Sequence, residues 1–367
     1  MPPVNTPSTQ RSPSARLVPL HRSGPSKRFT PADPFLHPDP LSPSGSHPHP
    51  DPRGEGAHMT GTGGVTRRAG LRTTLAATLA VPLLGTVRAS QAHVDEAEPP
   101  NQSARPVQPV PPLRAMTFNL RFASTQEPNS WAARRPVTRE LLLRAAPSVV
   151  GTQEGVHGQI LDIAADLGPR YAWIGTGLEG RTTDESLAIY YDTARLQPLA
   201  HGTYALSDTP EDLASNTWGA AFVRMCTWVR FRDRLGPGRE FYVLNTHLDH
   251  RSQYARARAA SLIADRMSAL THPALLLGDF NVAAHDNEVY DTLLRADLVD
   301  TWDSALTRGP SFGTFHNYRG LVADGWRIDW VLATPGVRAR RAWVDTYTRG
   351  GQYPSDHLPV CASVDLT

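Results

Sequence analysis

Six short segments of this chain carry, at or just past the end of an apolar run, a group that can bind a cation or move a proton. Asn119 lies in Thr117-Phe118-Asn119-Leu120-Arg121, Glu154 ends Gly151-Thr152-Gln153-Glu154, and His247 ends Leu244-Asn245-Thr246-His247. Asp279 and Asn281 sit in Leu277-Gly278-Asp279-Phe280-Asn281 and Asp329 in Arg327-Ile328-Asp329-Trp330. Asp356 and His357 belong to Pro354-Ser355-Asp356-His357-Leu358-Pro359. Each has an ordinary reading by itself. The Asp279 and Asp356 segments are also good turns, Asn119 is more often structural, and Glu154 could be a surface carboxylate. Six such segments in one chain form a constellation suited to metal-assisted or acid–base hydrolysis.

Several further residues are weaker candidates. Arg224 could bind a phosphate through its planar fork or make a salt bridge. Asp249 and His250 follow His247, His316 follows Thr314-Phe315, and Glu185 follows the loop 180–184. Trp218 reads as a substrate platform or, more commonly, a core residue. Arg256 and Arg258 read as a solvated helix face.

These groups need strands to deliver them. Met116, Phe118, Leu120 and Phe122 alternate with polar residues, which predicts a strand with one buried face. Further strands are expected at 149–154, 172–175, 187–191, 225–231, 241–247, 274–279, 328–332 and 358–364. Helices are expected at 134–146, around Ile160, Ile163 and Leu167, at 252–270 with Leu262, Ile263 and Met267 inward, and at 288–296. Strands outnumber helices, which suits two packed sheets with helices outside in one domain over 113–367.

Composition separates that domain from what precedes it. Residues 1–58 are rich in Pro, Ser, His and Gly and read as disordered, or as an upstream extension if the chain starts at Met59. Thr66-Arg67-Arg68-Ala69-Gly70-Leu71-Arg72, the apolar run from Leu75 to Leu84 and the small residues at 87–92 read as an export signal over 59–92 that resembles the twin-arginine type, with a Sec signal or a chance Arg-Arg before a buried helix as the alternatives. Its apolar core is too short to span a bilayer, so no stable membrane span is expected. Residues 93–112 read as a Pro- and Gln-rich linker. Residues 1–92 hold ten of the 37 basic and four of the 35 acidic residues, which leaves 27 and 31 in 93–367, a net of −4. A mildly acidic domain lacks the basic stripe of a general nucleic-acid binder. Its basic residues are all arginine, Lys27 being the one lysine, which excludes Schiff-base chemistry and a Walker lysine. The two cysteines, Cys226 and Cys361, either pair in an oxidising compartment or stay buried and free.

With Gly-Asp-Phe-Asn and Ser-Asp-His in this order, the sequence resembles the endonuclease/exonuclease/phosphatase family from Leu113 to Asp365. The run Trp218-Gly219-Ala220-Ala221, Arg224, Thr227-Trp228 and Thr246-His247-Leu248-Asp249-His250 looks most like bacterial members with deadenylase-like domains. The resemblance implies an α+β fold of DNase I type, a four-layer α/β/β/α sandwich with two mainly antiparallel sheets flanked by helices. It implies Mg²⁺ or Mn²⁺ held by Glu154, Asn119 and Asp356. It assigns Asp279 and Asn281 to the attacking water, His247 and His357 to phosphate oxygens, and Asp329 to orienting His357. The expected activity is hydrolysis of a phosphate ester, a phosphodiester first, by an exported monomer. A nuclease, a sphingomyelinase-like enzyme and a sugar- or polyol-phosphate esterase compete as substrate readings. A silent binding module and a two-carboxylate glycosidase are the alternatives of other classes.

Overall fold

The structure, a computed structural model, describes residues 110–177 and 185–367. The extension, the export signal, most of the linker and the loop 180–184 lie outside the described residues.

Seven strands make the first sheet: β1 (Leu113–Asn119), β2 (Val149–Val156), β3 (Tyr171–Gly177), β4 (Glu185–Asp192), β10 (Thr307–Arg308), β12 (Val337–Val344) and β13 (Val360–Leu366). Their order is β10-β12-β13-β1-β2-β4-β3. The second sheet holds β5 (Leu196–Ala205), β6 (Met225–Asp233), β7 (Glu240–His247), β8 (Ala274–Asp279), β9 (Val299–Asp300) and β11 (Asp329–Ala333), in the order β5-β6-β7-β8-β11-β9. The sheets are mixed but mainly antiparallel; the parallel pairs are β1/β2, β10/β12 and β7/β8.

Three apolar clusters define the layers. Leu113, Ala115, Val149, Val243, Leu277 and Val331 belong to the core between the sheets. Met116, Phe118 and Val150 turn the other way and pack with Leu141 of α1 (Trp131–Ala145) and Ile160 of α2 (His157–Leu167). On the far side, Leu244 and Leu276 pack with Ile263 of α3 (Gln253–Ser268) and Leu293 of α4 (Glu288–Arg295). A short helix, α5 (Thr301–Ser304), follows β9. This is the α/β/β/α sandwich expected, with one change: β1 is buried on both faces, including Thr117 and Asn119. A central strand between a helix layer and a second sheet has no solvent face, so its alternation separates two cores rather than core from water.

Other departures have local causes. β5 contains Pro198 and Gly202, which argue against a strand in sequence, yet it is the edge of its sheet, where a missing N–H costs no ladder bond. β12 carries three arginines and two alanines, poor β formers by composition. α1 begins three residues before Arg134 because the Ser130 side chain accepts from Ala133 N at 3.1 Å as its N-cap. Arg256 is buried, not solvated, and donates to Asp249 O at 2.7 Å, whereas Arg258 is exposed. Cys226 and Cys361 are free and buried in cores on opposite sheets. No helix among the described residues is long and apolar enough to cross a membrane.

Polar groups also cross the inter-sheet core. Asn245 on β7 donates to Thr152 O at 2.9 Å and Ala188 O at 3.1 Å, and accepts from Gln153 Nε2 at 2.7 Å. Gly151 makes room for this: a Cβ there would stand 2.8 Å from Asn245 Oδ1. Replacing Gly151 with Ala is expected to destabilise the protein by about 1–3 kcal/mol through overpacking, read as a lowered urea midpoint.

Candidate active site

Two parallel pairs explain why the polar groups meet. β1 and β2 are joined through α1, and β7 and β8 through α3, so each pair presents two carboxyl ends at one edge. The sheets face each other with β1 near β8 and β2 near β7. Asn119, Glu154, His247 and Asp279 thereby arrive at the same end of the sandwich. Asp329 pairs with Asp279 across the β8–β11 ladder, and His357 lies just before β13.

A β-bulge aims Glu154. The β2–β4 register slips between Thr152 and Gly155, and Glu154 takes φ 60. Asn281, one residue beyond Phe280, takes φ 54. Left-handed backbone costs a side-chain-bearing residue energy, and such strain concentrates at functional sites.

Hydrogen bonds join the groups across the sheets. Asn119 Nδ2 donates to Glu154 Oε1 and to Asp279 Oδ2, each at 2.9 Å, while its Oδ1 accepts from Arg121 N. In this arrangement Asn119 presents its amide hydrogens to the carboxylates and tethers them. Asp279 Oδ1 accepts from Asn281 N at 2.9 Å. Asn281 Nδ2 donates to Leu248 O at 2.9 Å and lies 3.0 Å from His247 Nε2. Both amide hydrogens of Asn281 are thus engaged, and its carbonyl oxygen is the group it can offer a water. His357 Nδ1 is 3.0 Å from Asp329 Oδ2 and its Nε2 is 3.8 Å from Asp279 Oδ2. Thr314 Oγ1 accepts from the backbone N–H groups of Ile328 and Asp329 and fixes the start of β11.

The electrostatics divide the groups by charge. Burial, then the neighbouring Asp329 charge, pushes Asp279 up to about 7. Burial opposes protonation of His357, but Asp329 and Asp279 overcome it and push the imidazole up to about 10. Burial, helped by Arg224, holds His247 well below its ordinary value, so it is neutral. Burial and the charge of Glu154 raise Glu185 to about 7.

The ligand atoms of Glu154, His247 and Asp279 lie within 4.8 Å of one another, as do those of Asp279, Asp329 and His357. A divalent cation fits the Glu154–Asp279 side. The donors are hard oxygens, and the raised values of Asp279 and Glu185 record a buried excess of negative charge that a cation would relieve. A third group, His285, Asp300 and Asp303, can also converge, but Arg327 already pairs with Asp300 at 2.9 Å.

The weaker candidates fall into two places. Glu185 and Arg224 line a small cleft with Glu154, Met225 and His247. Asp249 lies behind Arg224, 3.7 Å from its Nε, and accepts from the backbone of Ala221, Arg251 and Ser252. His250 Nδ1 is 3.3 Å from Arg224. Trp218 is a buried core residue under the Arg258 guanidinium. Asp356 pairs with Arg121 at 3.4 Å and is in none of the three ligand groups, though its charge adds to those that raise His357. His316 is buried beside Tyr353, ring centroids 4.4 Å apart, and its backbone N–H donates to Asp356 O.

Sequence reasoning missed the residues that hold these loops. Arg134, fully buried in the first turns of α1, donates to the carbonyls of Leu120, Phe122 and Pro354 at 2.6–3.1 Å. It clamps the chain after Asn119 to the chain before Asp356. Ser355 Oγ donates to Asn119 O at 2.7 Å and accepts from His357 N. A lone arginine on an otherwise apolar helix face was the available signal for Arg134. Truncating Arg134 to Ala is expected to cost about 2–4 kcal/mol by urea unfolding, since several buried carbonyls lose a charged donor.

The Asp329–His357 pair makes a pH prediction. An unfolded imidazole titrates near ~6.5; the folded one is raised to about 10. The pair therefore stabilises fully below pH ~6.5, and its contribution fades as pH rises through about 10. Asp329→Asn should move the His357 titration, followed by imidazole NMR in metal-free protein, to lower pH.

Comparison with known proteins agrees with this geometry. Residues 116–357, well over half of the chain, match the Endonuclease/Exonuclease/phosphatase family. No curated protein matches. Among solved structures, an endonuclease/exonuclease/phosphatase from Bacteroides vulgatus is 30% identical with a TM-score of 0.66, over 70% of this chain and 99% of its own. A mannosyl-6-phosphatase of Bacteroides thetaiotaomicron is 31% identical with a TM-score of 0.64, over 69% and 99%. The human Nocturnin catalytic domain, 19% identical with a TM-score of 0.56 over 70% and 95%, shares the fold. The chain belongs to the Endonuclease/Exonuclease/phosphatase family.

Proposed function

We propose that this protein is an exported, metal-dependent hydrolase of phosphate esters whose substrate is a sugar phosphate. The observation that carries the hydrolase reading is the convergence of Glu154, Asp279, Asn281, Asp329 and His357 at one end of the sandwich, in which Asp329 pairs with His357 and Asn281 with Asp279. The sugar reading has two supports. The folded region is net acidic, which disfavours a polyanionic substrate, and the chain is 31% identical to a protein described as a mannosyl-6-phosphatase.

The chemistry follows from the groups present. Glu154 would hold the cation. A Mg²⁺ or Mn²⁺ ion held there would supply neutralisation of phosphate oxygens and of the charge that grows on them. Asp279, which accepts from Asn281 N at 2.9 Å, is the carboxylate placed beside Asn281 to take a proton from water. Asn281 fixes that water through its free carbonyl oxygen, and neutral His247 holds Asn281 in place. Protonated His357 donates from Nε2 to a phosphate oxygen, with Asp329 behind it. Arg224 reaches the same cleft and pairs with a second phosphate oxygen.

Purified protein should release phosphate from sugar phosphates in Mg²⁺ or Mn²⁺ and stop in EDTA. Asp279→Asn should lower kcat by about 10²–10⁴-fold, the range for a lost general base. Full activity in EDTA, or an Asp279→Asn enzyme as fast as the parent, would refute the mechanism. The export reading predicts a mature amino terminus at residues 89–93 when the protein secreted by its host is sequenced; a terminus upstream of Met59 would exclude it.

A further inference from the structure

Beside Arg224 the surface changes character. Phe222 is exposed, at 55%, although it is large and apolar. Its ring stacks on exposed His250, with centroids 5.8 Å apart and planes 28° apart. The Arg224 guanidinium lies 5.7 Å from the Phe222 centroid, and its Nη2 is 3.3 Å from His250 Nδ1. Arg224 itself is buried, and its Nε has no hydrogen-bond partner. One arginine thus connects the cleft of Glu154, Glu185 and His247 to a stacked pair of rings beside it.

The chain spends structure on keeping this ledge in place. Ala221 N donates to buried Asp249 at 2.8 Å. Asn216 closes the loop from the other side, accepting from Ala220 N at 3.0 Å and donating to Ala220 O at 2.8 Å. Asp249 also accepts from Arg251 N and Ser252 N, which fixes the segment carrying His250. A single carboxylate therefore sets both halves of the ledge and stands behind Arg224.

We propose that Phe222 and His250 receive the sugar ring of the substrate, with Arg224 on the phosphate and Glu185 on the ring hydroxyls. This rests on the sugar-phosphate reading above and names the residues that would select the sugar. The polarised C–H face of a pyranose suits the negative face of an aromatic ring. A carboxyl group in the same cleft accepts from hydroxyls, as specificity groups in largely apolar ligand sites do. A nucleobase would also stack on Phe222, but the cleft side of the ledge offers Glu185, which suits a hydroxyl donor.

The test is equilibrium binding by isothermal titration to the whole chain carrying Asp279→Asn, in Mg²⁺. Mannose 6-phosphate, glycerol 3-phosphate and adenosine 5′-monophosphate are the probes. Adding Phe222→Ala should weaken mannose 6-phosphate by about tenfold, the worth of one aromatic contact, and by several-fold more than it weakens glycerol 3-phosphate. Phe222→Trp should restore most of the loss, which a merely structural role for the side chain would not. Equal weakening of the two probes, no weakening, or no binding of mannose 6-phosphate overturns the proposal. Tighter, Phe222-dependent binding of adenosine 5′-monophosphate overturns it in favour of a base-stacking ledge. Phe222-dependent sugar binding by a parent enzyme that releases no phosphate would keep the ledge and reject the hydrolase.

Discussion

The site depends on one carboxamide. Asn119, at the end of a strand in the first sheet, donates to Glu154 beside it and to Asp279 in the second sheet. These bonds fix the distance between carboxylates that repel one another in a buried place. Without them, only the cores and the deeper Asn245 bonds would set the separation of the two sheets' polar ends. Burial, then the charge of Asp329, pushes Asp279 up to about 7. A buried carboxyl raised in this way suits a nearby cation, since binding would exchange a costly environment for a favourable one.

A second layer of buried polar groups supports that bridge. Asn245 and Gln153 join the sheets in the interior, and Gly151 is the gap through which Asn245 reaches. Arg134 and Ser355 tie the loop after Asn119 to the loop before His357. A buried network is stabilising only when its members are satisfied, so these residues constrain one another's geometry. The consequence for chemistry is pre-organisation: the Asp329–His357 and Asp279–Asn281 pairs are in hydrogen-bonding geometry within the protein itself.

Asymmetry between the two histidines follows from their neighbours. Both are buried to the same extent. His357 is held at Nδ1 by Asp329 and carries a proton; His247 also lies 3.6 Å from Asp279, but burial and the charges of Arg224 and His357 keep it neutral. In the proposed mechanism the first donates to a phosphate oxygen and the second positions Asn281, where the resemblance had offered both as donors to phosphate.

Much of this was legible in the sequence because strand periodicity and turn residues are local. The apolar runs ending on Asn119, Glu154, His247 and Asp279 could be read directly, and the 274–279 strand has the bounds its pattern predicts. The order of the motifs was enough to suggest the family. What local pattern could not decide was burial of charged and irregular pieces. Arg256 and Arg134 are buried because carbonyls from distant segments meet their guanidinium groups. β5 forms despite Pro198 because it lies at an edge. Asp356 sits with Arg121 rather than with Glu154, although it is adjacent to His357 in the chain. The sequence by itself determined which groups reach the end of the sandwich, since period and chain order are properties of neighbours. Only the tertiary structure decided their charges, partners and facing, because those depend on electrostatic and packing contacts between residues far apart in the chain.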